Sequence, residues 1–248
     1  MFEDILGNDD VKKYLTNCIE NKNFSHSYIF SGIKGIGKYT FAKDFAKCIL
    51  EDPMMQDYYE LEPDGKSIKV AQIRELQNVI NIKPTFSEKS VYIIDDADLM
   101  TTEAQNSLLK TLEEPPEYAV IILIVHNERS VLSTVKSRCV NIKFNKLSDK
   151  DIKKYFLKND LNFEDKNINV FKVLDGSLND IDFIRDDYDE LLKLTVFVTN
   201  LKKNKVINFF KEFYNEKYSN FLKFDDSACC RVGFKFDKNV NILLLFVF

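Results

Sequence analysis

The sequence predicts an α/β protein built around a parallel sheet, and three stretches carry this prediction. Residues 27–40 join a short apolar run to a glycine-rich loop and then to a helical pattern. Residues 90–96 and 119–125 are almost continuously apolar, which is typical of strands buried on both faces of a parallel sheet. Helical patterns separate these strands, and this alternation favours a parallel α/β fold.

The glycine-rich loop has the spacing of a phosphate-binding loop (P-loop), Gly32-x-x-x-x-Gly37-Lys38, with a further glycine at Gly35. Glycines let the backbone turn so that several N–H groups face a phosphate, and the N-terminus of the next helix adds its positive end. Lys38 is expected to reach the outer phosphates of a nucleotide.

The position after this lysine departs from the motif. A P-loop has Ser or Thr there, whose hydroxyl holds Mg²⁺, whereas this chain has Tyr39. A phenol is too long for that role, and Thr40 comes one residue late on the helix. The loop is therefore predicted to cradle phosphate but to hold a metal ion poorly. Nucleotide binding and its absence both stay open at this point.

The remaining elements of the first half follow from hydrophobic spacing and from helix-breaking residues. Asn8 is predicted to cap a first helix, and a helix over about 39–50 follows the P-loop. The acidic stretch 51–66 is predicted to be a surface loop, and 70–82 to be a helix. An amphipathic helix over 101–113 is ended by two prolines.

Asp95 and Asp96 end the strand at 90–96, at the sheet edge where open α/β sheets bind ligands. In P-loop proteins the first carboxylate there positions Mg²⁺ through water, and the second polarises the attacking water. The second is usually Glu, and Asp96 is one methylene shorter, so a water placed for Glu would lie beyond its reach. Misplacement of about 1 Å already slows catalysis strongly. The alternative is an Asp-rich strand end without chemistry. Asp98, two residues on, is expected only to cap the turn.

The pattern changes near residue 147. Ser137-Arg138-Cys139 leads into an alternating strand over 140–144, and Ser148 is then predicted to cap a helix. A second helical stretch reaches Leu174, and a third begins at Gly176-Ser177. No strand pattern follows, so a small helical domain is predicted here. Residues 186–222 are again helical in pattern, and the rest of the chain, from Lys223, has no clear helix period.

Composition limits the function classes. The 248 residues carry a formal net charge of −4, which gives no global signal for nucleic-acid binding. The five cysteines form no C-x-x-C pair, and only two histidines are present, so no zinc site is predicted. The odd cysteine count suits a reducing cytoplasm. We expect the acidic N-terminus not to act as a signal peptide, and the longest apolar run, 242–248, is too short to span a bilayer.

Several of these motifs together resemble the clamp-loader branch of the AAA+ ATPases. The resemblance is carried by the segments SHSYIFSGIKGIGKYTFAK, SIKVAQIRELQ, VYIIDDADLM, AQNSLLKTLEEPPEYAVIILI and SRC. The run LLKTLEEPP followed by SRC is highly specific to that branch. The similarity covers residues 1–185 and is faint beyond them.

The resemblance implies a domain order and a set of partners. It implies an AAA+ P-loop core over 1–146, a helical lid over 147–186 and a helical collar-like region over 187–248 that is incomplete or atypical. Members of this family work in the cytoplasm, within the DNA polymerase III holoenzyme, as subunits of a hetero-pentamer. Its ATPase subunits and delta, the sliding clamp and primed DNA reached through the complex are the implied partners, and no membrane is involved.

Four ATPase positions depart from the family pattern. Besides Tyr39 and Asp96, the sensor-1 position near His126 and Asn127 lacks the usual Thr. The lid arginine of a Gly-Ser-x-Arg setting is replaced by Asn179. These departures predict a subunit that does not hydrolyse ATP and binds ATP and Mg²⁺ weakly at most. The family's four-cysteine zinc module is also missing, since only Cys48 stands in that region.

Arg138 in the Ser137-Arg138-Cys139 motif is intact. In this family that arginine reaches into a neighbouring subunit's ATP site and acts there as an arginine finger, so this motif is expected at a subunit interface. The resemblance thus predicts a rigid, non-hydrolysing subunit that acts in trans during clamp loading. The alternatives are an active ATPase subunit of the same loader and, from another class, a free-standing P-loop enzyme such as a small-molecule kinase.

Overall fold

The computed structural model describes Phe2 and residues 5–161, 171, 174–179 and 181–182. The chain divides into two compact units, one of residues 1–160 with 174–179 and the other of residues 161–173 with 180–248. The first unit contains nearly all described residues. The helices expected between 162 and 173 and after 182, and the whole collar-like region, lie outside the described residues. The domain boundaries at 146 and 186 stay predictions.

The described elements alternate between helices and strands along the chain. The helices are α1 Asp9–Glu20, α2 Lys38–Leu50, α3 Val70–Ile80, α4 Thr102–Glu113, α5 Ser133–Lys136 and α6 Asp149–Lys158. The strands are β1 Ser27–Ser31, β2 Tyr58–Leu61, β3 Ser90–Ile94, β4 Ala119–Val125 and β5 Val140–Lys143. Two short 3₁₀ turns cover Ala97–Leu99 and Glu128–Ser130.

The five described strands form one parallel sheet in the order β2-β3-β4-β1-β5. The predicted parallel α/β fold is thus confirmed. Midway along β1, Ile29 pairs with Leu123 of β4. Because all strands run the same way, the loops that follow β1, β3 and β4 meet at one edge of the sheet. This edge carries the P-loop, the paired aspartates and His126.

Side chains of each central strand alternate between the two faces of the sheet, and helices cover both. On one face, Tyr28 of β1 lies edge-on to Phe45 of α2, with ring centroids 5.5 Å apart. On the other face, Ile29 joins a buried cluster that includes Ile73 of α3 and Leu108 of α4. Burial of such side chains stabilises the fold by about 1.5–3 kcal/mol each. It also fixes the sheet edge from which the site residues project.

Strand β2 corrects the prediction that residues 51–66 are only a surface loop. Residues 58–61 pair in parallel with β3 at the edge of the sheet. The four residues are half-buried, so they lack the continuous apolar pattern of the inner strands. Tyr59 stacks on Tyr92 of β3 with ring centroids 5.1 Å apart, which anchors this edge strand to its neighbour.

The prediction that the side chain of Asn8 caps the first helix is wrong, although the helix begins where predicted. Asn8 occupies the N-cap position of α1, but it has a left-handed backbone and makes no side-chain cap. Its side chain instead exchanges two hydrogen bonds with the backbone of Asn145, at 2.7 and 3.2 Å. A long-range contact to the segment after β5 therefore replaces the local one.

The predicted cap at Ser148 is confirmed. Its hydroxyl accepts a hydrogen bond from the Asp151 N–H, and the Asp151 carboxylate accepts one from the Ser148 N–H. Together these two bonds form a capping box at the start of α6. Ile152 and Phe156 of this helix are buried. None of the described helices has the length and apolar character that a membrane span requires.

Candidate functional site

The P-loop lies between β1 and α2, as predicted. Gly35 and Gly37 have positive φ angles of 74° and 90°, which a residue with a Cβ adopts only under strain. A Cβ on Gly35 would also lie 2.3 Å from the backbone nitrogen of Asn179. These glycines therefore serve the turn itself and a close approach by residues 177–179.

Lys38 is the first residue of α2, and its side chain is buried. Its ammonium lies 2.7 Å from the carbonyl oxygen of Gly32, 2.6 Å from that of Ile33 and 2.7 Å from Nδ1 of His126. An ammonium has three N–H donors, and these three contacts use all of them. Burial lowers the pKa of Lys38 to about 8, although the charge of Asp98 acts in the opposite direction.

His126 extends this contact to a carboxylate. Its Nε2 lies 2.6 Å from Oδ1 of Asp96. Because Nδ1 accepts a hydrogen bond from the Lys38 ammonium, Nε2 must carry the ring proton and donate a hydrogen bond to Asp96. Burial, followed by the nearby charge of Lys38, lowers the pKa of His126, so the ring is neutral at pH 7. Lys34 lies 3.3 Å from the same carboxylate.

We call Lys38, His126, Asp96 and Lys34 the P-loop network. It connects the P-loop to the ends of β3 and β4 through three polar contacts. The sequence predicted that Asp96 and the P-loop meet at one sheet edge. It did not predict that a histidine would stand between the lysine and the carboxylate.

The two other aspartates of this edge have backbone partners. Asp95 accepts from the N–H of Asp96 at 2.9 Å, and burial raises the pKa of its carboxyl group. Asp98 accepts from the N–H groups of His126 and Asn127, at 2.8 and 3.2 Å. Sequence reasoning gave Asp98 at most a turn cap, whereas its carboxylate fixes the loop that presents His126.

Asp95, Asp96 and His126 place three possible metal-ligand atoms within 4.8 Å of one another. His126 is nevertheless not arranged to bind a cation. One ring nitrogen of His126 accepts from Lys38 and the other carries a proton, so neither presents a lone pair to a metal. An ammonium group also stands beside this cluster. The geometry favours an internally satisfied network over a Mg²⁺ site.

The side chain of Tyr39 on α2 reaches the edge strand β2. Its phenol oxygen lies 3.1 Å from Oε2 of Glu60 on β2, and Lys43 donates to the same phenol oxygen at 3.3 Å. Tyr58 donates to Glu60 as well, at 2.8 Å. Tyr39 therefore ties α2 to the edge strand, and Thr40 is exposed on α2.

Residues 174–179 contact the tip of the P-loop. The hydroxyl of Ser177 donates to the carbonyl oxygen of Lys34 at 2.7 Å, and the N–H of Leu178 donates to that of Gly35 at 2.8 Å. The Gly176-Ser177 motif, predicted as part of a helical lid, thus holds the loop through backbone carbonyl groups. Asn179 occupies the position at which the family pattern has the sensor arginine.

Gln105 is a residue that sequence reasoning missed. It is buried on α4, where it donates to the carbonyl oxygens of Met100 and Ser130 at 3.2 and 2.9 Å. Its side-chain oxygen accepts from the N–H of Leu132 at 2.8 Å. It connects α4 to the segment that leads into the Ser137-Arg138-Cys139 motif. The available signal was a polar residue next to Ala104 on the apolar side of the predicted helix.

Arg138 lies in the turn between α5 and β5, and about a third of its side chain is exposed. Nη1 donates to the carbonyl oxygen of Thr134 at 2.8 Å, and Nη2 lies 2.5 Å from Oε1 of Glu113. Ser137 is exposed beside it. Burial raises the pKa of Cys139 to about 12, so this residue stays a thiol that packs against the core.

The chain is similar to known subunits of DNA polymerase III. A family model described as DNA polymerase III, delta subunit, matches residues 50–148. DNA polymerase III subunit delta' of Bacillus subtilis is 37% identical over 169 residues, which cover 61% of this chain and 51% of that protein. Subunit tau of the same organism is 32% identical over 170 residues, which cover 61% of this chain and 30% of that protein. The chain thus spans about half of their length or less.

Solved structures agree on the fold. A Thermotoga maritima RuvB mutant gives a TM-score of 0.54 at 15% identity, over 84% of this chain and 70% of that one. A gamma subunit-related protein of DNA polymerase III from Thermotoga maritima gives 0.50 at 22% identity, over 79% of this chain and 66% of that one. These similarities establish an AAA+ fold for the chain.

Proposed function

Because this chain belongs to the clamp-loader family of DNA polymerase III subunits, we propose that it is a non-hydrolysing subunit of the delta-prime type. In this proposal its own P-loop is a structural element. Its contribution to the reaction is Arg138, which enters the ATP site of a neighbouring subunit. It acts as a rigid support while the loader opens the sliding clamp and places it on primed DNA.

The observation that carries the proposal is the position of Lys38. A P-loop lysine that serves ATP must offer N–H groups to the outer phosphates. All three donors of Lys38 are used by the carbonyl oxygens of Gly32 and Ile33 and by His126. An incoming phosphate would have to displace these bonds inside a buried site, and Tyr39 supplies no hydroxyl for its Mg²⁺. These bonds and the Tyr39 side chain support a P-loop that does not hydrolyse ATP.

Arg138 has the properties that a finger needs. It stands on a surface turn held by α5 and β5, and its guanidinium is partly exposed. A guanidinium matches the charge and geometry of a phosphoryl group, and arginine fingers are worth about 10³–10⁵ in rate where they have been measured. Gln105 supports the segment that carries it. Ser137 and Cys139 flank it at the proposed subunit interface.

The proposed partners are the ATPase subunits and delta within a hetero-pentamer, and the sliding clamp and primed DNA through that complex. Support comes from the relatives, which are named as tau and delta' subunits of DNA polymerase III. The cytoplasm is the proposed location. The proposed order of domains is an AAA+ core, a helical lid and a collar-like region.

The test is ATP hydrolysis by the reconstituted loader with clamp and primed DNA. We expect Arg138→Ala to slow hydrolysis at the neighbouring site by about 10³-fold, since a finger supplies at least that factor. The ATP hydrolysis rate of the whole loader then falls by the fraction that this neighbouring site contributes. Arg129→Ala is the matched control, because Arg129 is an exposed arginine on a neighbouring 3₁₀ turn.

The same assay separates the alternatives. An active ATPase subunit would turn over ATP through its own P-loop, and a free-standing enzyme would do so without partners. A normal rate for the Arg138→Ala complex, together with turnover by the chain alone, would show that the proposal is wrong. Complex formation is measured first by native mass spectrometry, so that a failure to assemble is not mistaken for a lost finger.

A further inference from the structure

Arg138 is held by a carboxylate of its own chain. Glu113 is the last residue of α4, and its Oε1 lies 2.5 Å from Nη2 of Arg138. Glu113 belongs to the LLKTLEEPP run and Arg138 to the SRC motif. The two segments that most strongly carry the family resemblance therefore meet in a single ion pair.

Both terminal nitrogens of the guanidinium are engaged within the chain. Nη1 donates to the carbonyl oxygen of Thr134 and contacts Oγ of Ser137, while Nη2 pairs with Glu113. These are the atoms that a guanidinium fork offers to a carboxylate or a phosphate. A phosphoryl oxygen that approaches this fork therefore meets an acceptor already in place.

The Glu113 carboxylate and an incoming phosphate are both anions, so they compete for the same guanidinium group. The carboxylate neutralises much of the charge that a finger must bring to the transition state, and its negative charge repels an approaching phosphate. Exchange of one anion for the other keeps the guanidinium paired throughout. Thr134 is a neutral acceptor and can stay bonded during the exchange.

The ion pair is weak enough to be displaced. The side chain of Glu113 is 49% exposed and that of Arg138 is 33% exposed. Exposed ion pairs contribute little net free energy because water and salt screen them and because two long side chains must be held still. Such a pair biases a side chain between two positions without locking it in one.

We propose that Glu113 competes with the neighbouring subunit's phosphate for Arg138 and so restrains ATP hydrolysis while the loader is idle. The inference rests on the proposed function, since it assigns a restraint to the finger that this function requires. Glu113 touches no nucleotide in this scheme and acts only through Arg138.

The test compares reconstituted loaders that carry Glu113→Gln, with Glu114→Gln as the matched control. Both substitutions remove one negative charge from neighbouring exposed positions, but only Glu113 pairs with Arg138 among the described residues. Without clamp and DNA, we expect Glu113→Gln to raise the ATP hydrolysis rate by about two- to fivefold, the range that an exposed ion pair allows. Glu114→Gln should leave the rate unchanged. Glu113→Asp, which shortens the reach of the carboxylate, should raise it to a smaller extent.

A double-mutant cycle separates the two claims. In an Arg138→Ala background, Glu113→Gln should have no effect, because its only route to the reaction has been removed. If Arg138→Ala slows the loader but Glu113→Gln leaves the rate equal or lower, the restraint is wrong and the proposed function stands. If Arg138→Ala itself changes nothing, the proposed function fails first.

Discussion

Nζ of Lys38 lies 2.7 Å from Nδ1 of His126, and this contact connects the P-loop to the end of the neighbouring strand β4. It identifies His126 as a neutral acceptor and gives the third donor of Lys38 a partner. A P-loop with intact glycines and lysine is thus internally bonded at the atoms that would otherwise meet phosphate.

The first prediction concerns pH. The pKa of His126 is lowered in the folded protein from its ordinary 6.5, with burial as the larger cause and Lys38 as the next. Below pH 6.5 the unfolded chain therefore binds a proton that the folded chain resists, so the free energy of unfolding falls as the pH falls. This dependence ends once the pH drops below the lowered pKa.

The measurement is urea unfolding between pH 5 and pH 7.5. We expect His126→Gln to weaken the loss of stability on acidification. His26→Gln is the matched control, since His26 contacts the carbonyl oxygen of Ala119 rather than a lysine. Equal pH dependence in His126→Gln and the wild type would contradict the assigned state of His126.

A second prediction tests the contact between the P-loop tip and residues 177–179. Gly35 and Gly65 have the same φ of +74°, but a Cβ on Gly35 would meet Asn179 and Ser177, whereas nothing lies within 4 Å of one on Gly65. Both alanine variants carry the backbone strain of a left-handed residue with a Cβ, which is about 1–2 kcal/mol. Gly35→Ala should lose a further 1–3 kcal/mol or so of unfolding free energy, because backbone must shift to admit the methyl group.

Hydrogen exchange of the Leu178 N–H reports on the same contact. It donates to the carbonyl oxygen of Gly35, so its protection should fall in Gly35→Ala and persist in Gly65→Ala. Equal stability and equal protection in the two variants would show that residues 177–179 do not hold the loop.

A third prediction concerns Gln105. Replacement by Met keeps much of the side-chain volume but leaves two carbonyl groups and the N–H of Leu132 without their partner. We expect a loss of about 2 kcal/mol or more of unfolding free energy, because unsatisfied buried polar groups each cost about 1–3 kcal/mol. Asn106→Ala, at the next and exposed position of α4, is the control and should change stability by less than about 0.5 kcal/mol. A small effect at Gln105 would mean that water replaces its bonds.

The sequence predicted the inner part of the sheet because its strands are buried on both faces and therefore continuously apolar. It missed β2 because an edge strand is half-buried and mixes Tyr58 and Glu60 with apolar neighbours. It overstated the cap at Asn8 because a local motif cannot reveal that a distant segment binds the same side chain.

Some residues of the candidate site could be predicted from the sequence, and others could not. Spacing alone identified the P-loop glycines, Lys38 and the paired aspartates. The direction of the lysine side chain depends on His126, which enters from another strand, and spacing carries no information about it. The ion pair of Glu113 and Arg138 could not be predicted for the same reason, although the two residues belong to the LLKTLEEPP and SRC motifs.

We propose that the P-loop of this chain does not hydrolyse ATP, and Lys38→Met in the reconstituted loader tests this proposal. The substitution keeps an apolar stem in the buried site and removes the ammonium that an ATPase needs. After assembly is verified, ATP hydrolysis is measured with clamp and primed DNA. We predict a rate within about twofold of wild type, while Arg138→Ala in the same assay is slow. A loss of rate in Lys38→Met as large as that in Arg138→Ala would contradict the account and assign ATP hydrolysis to this chain.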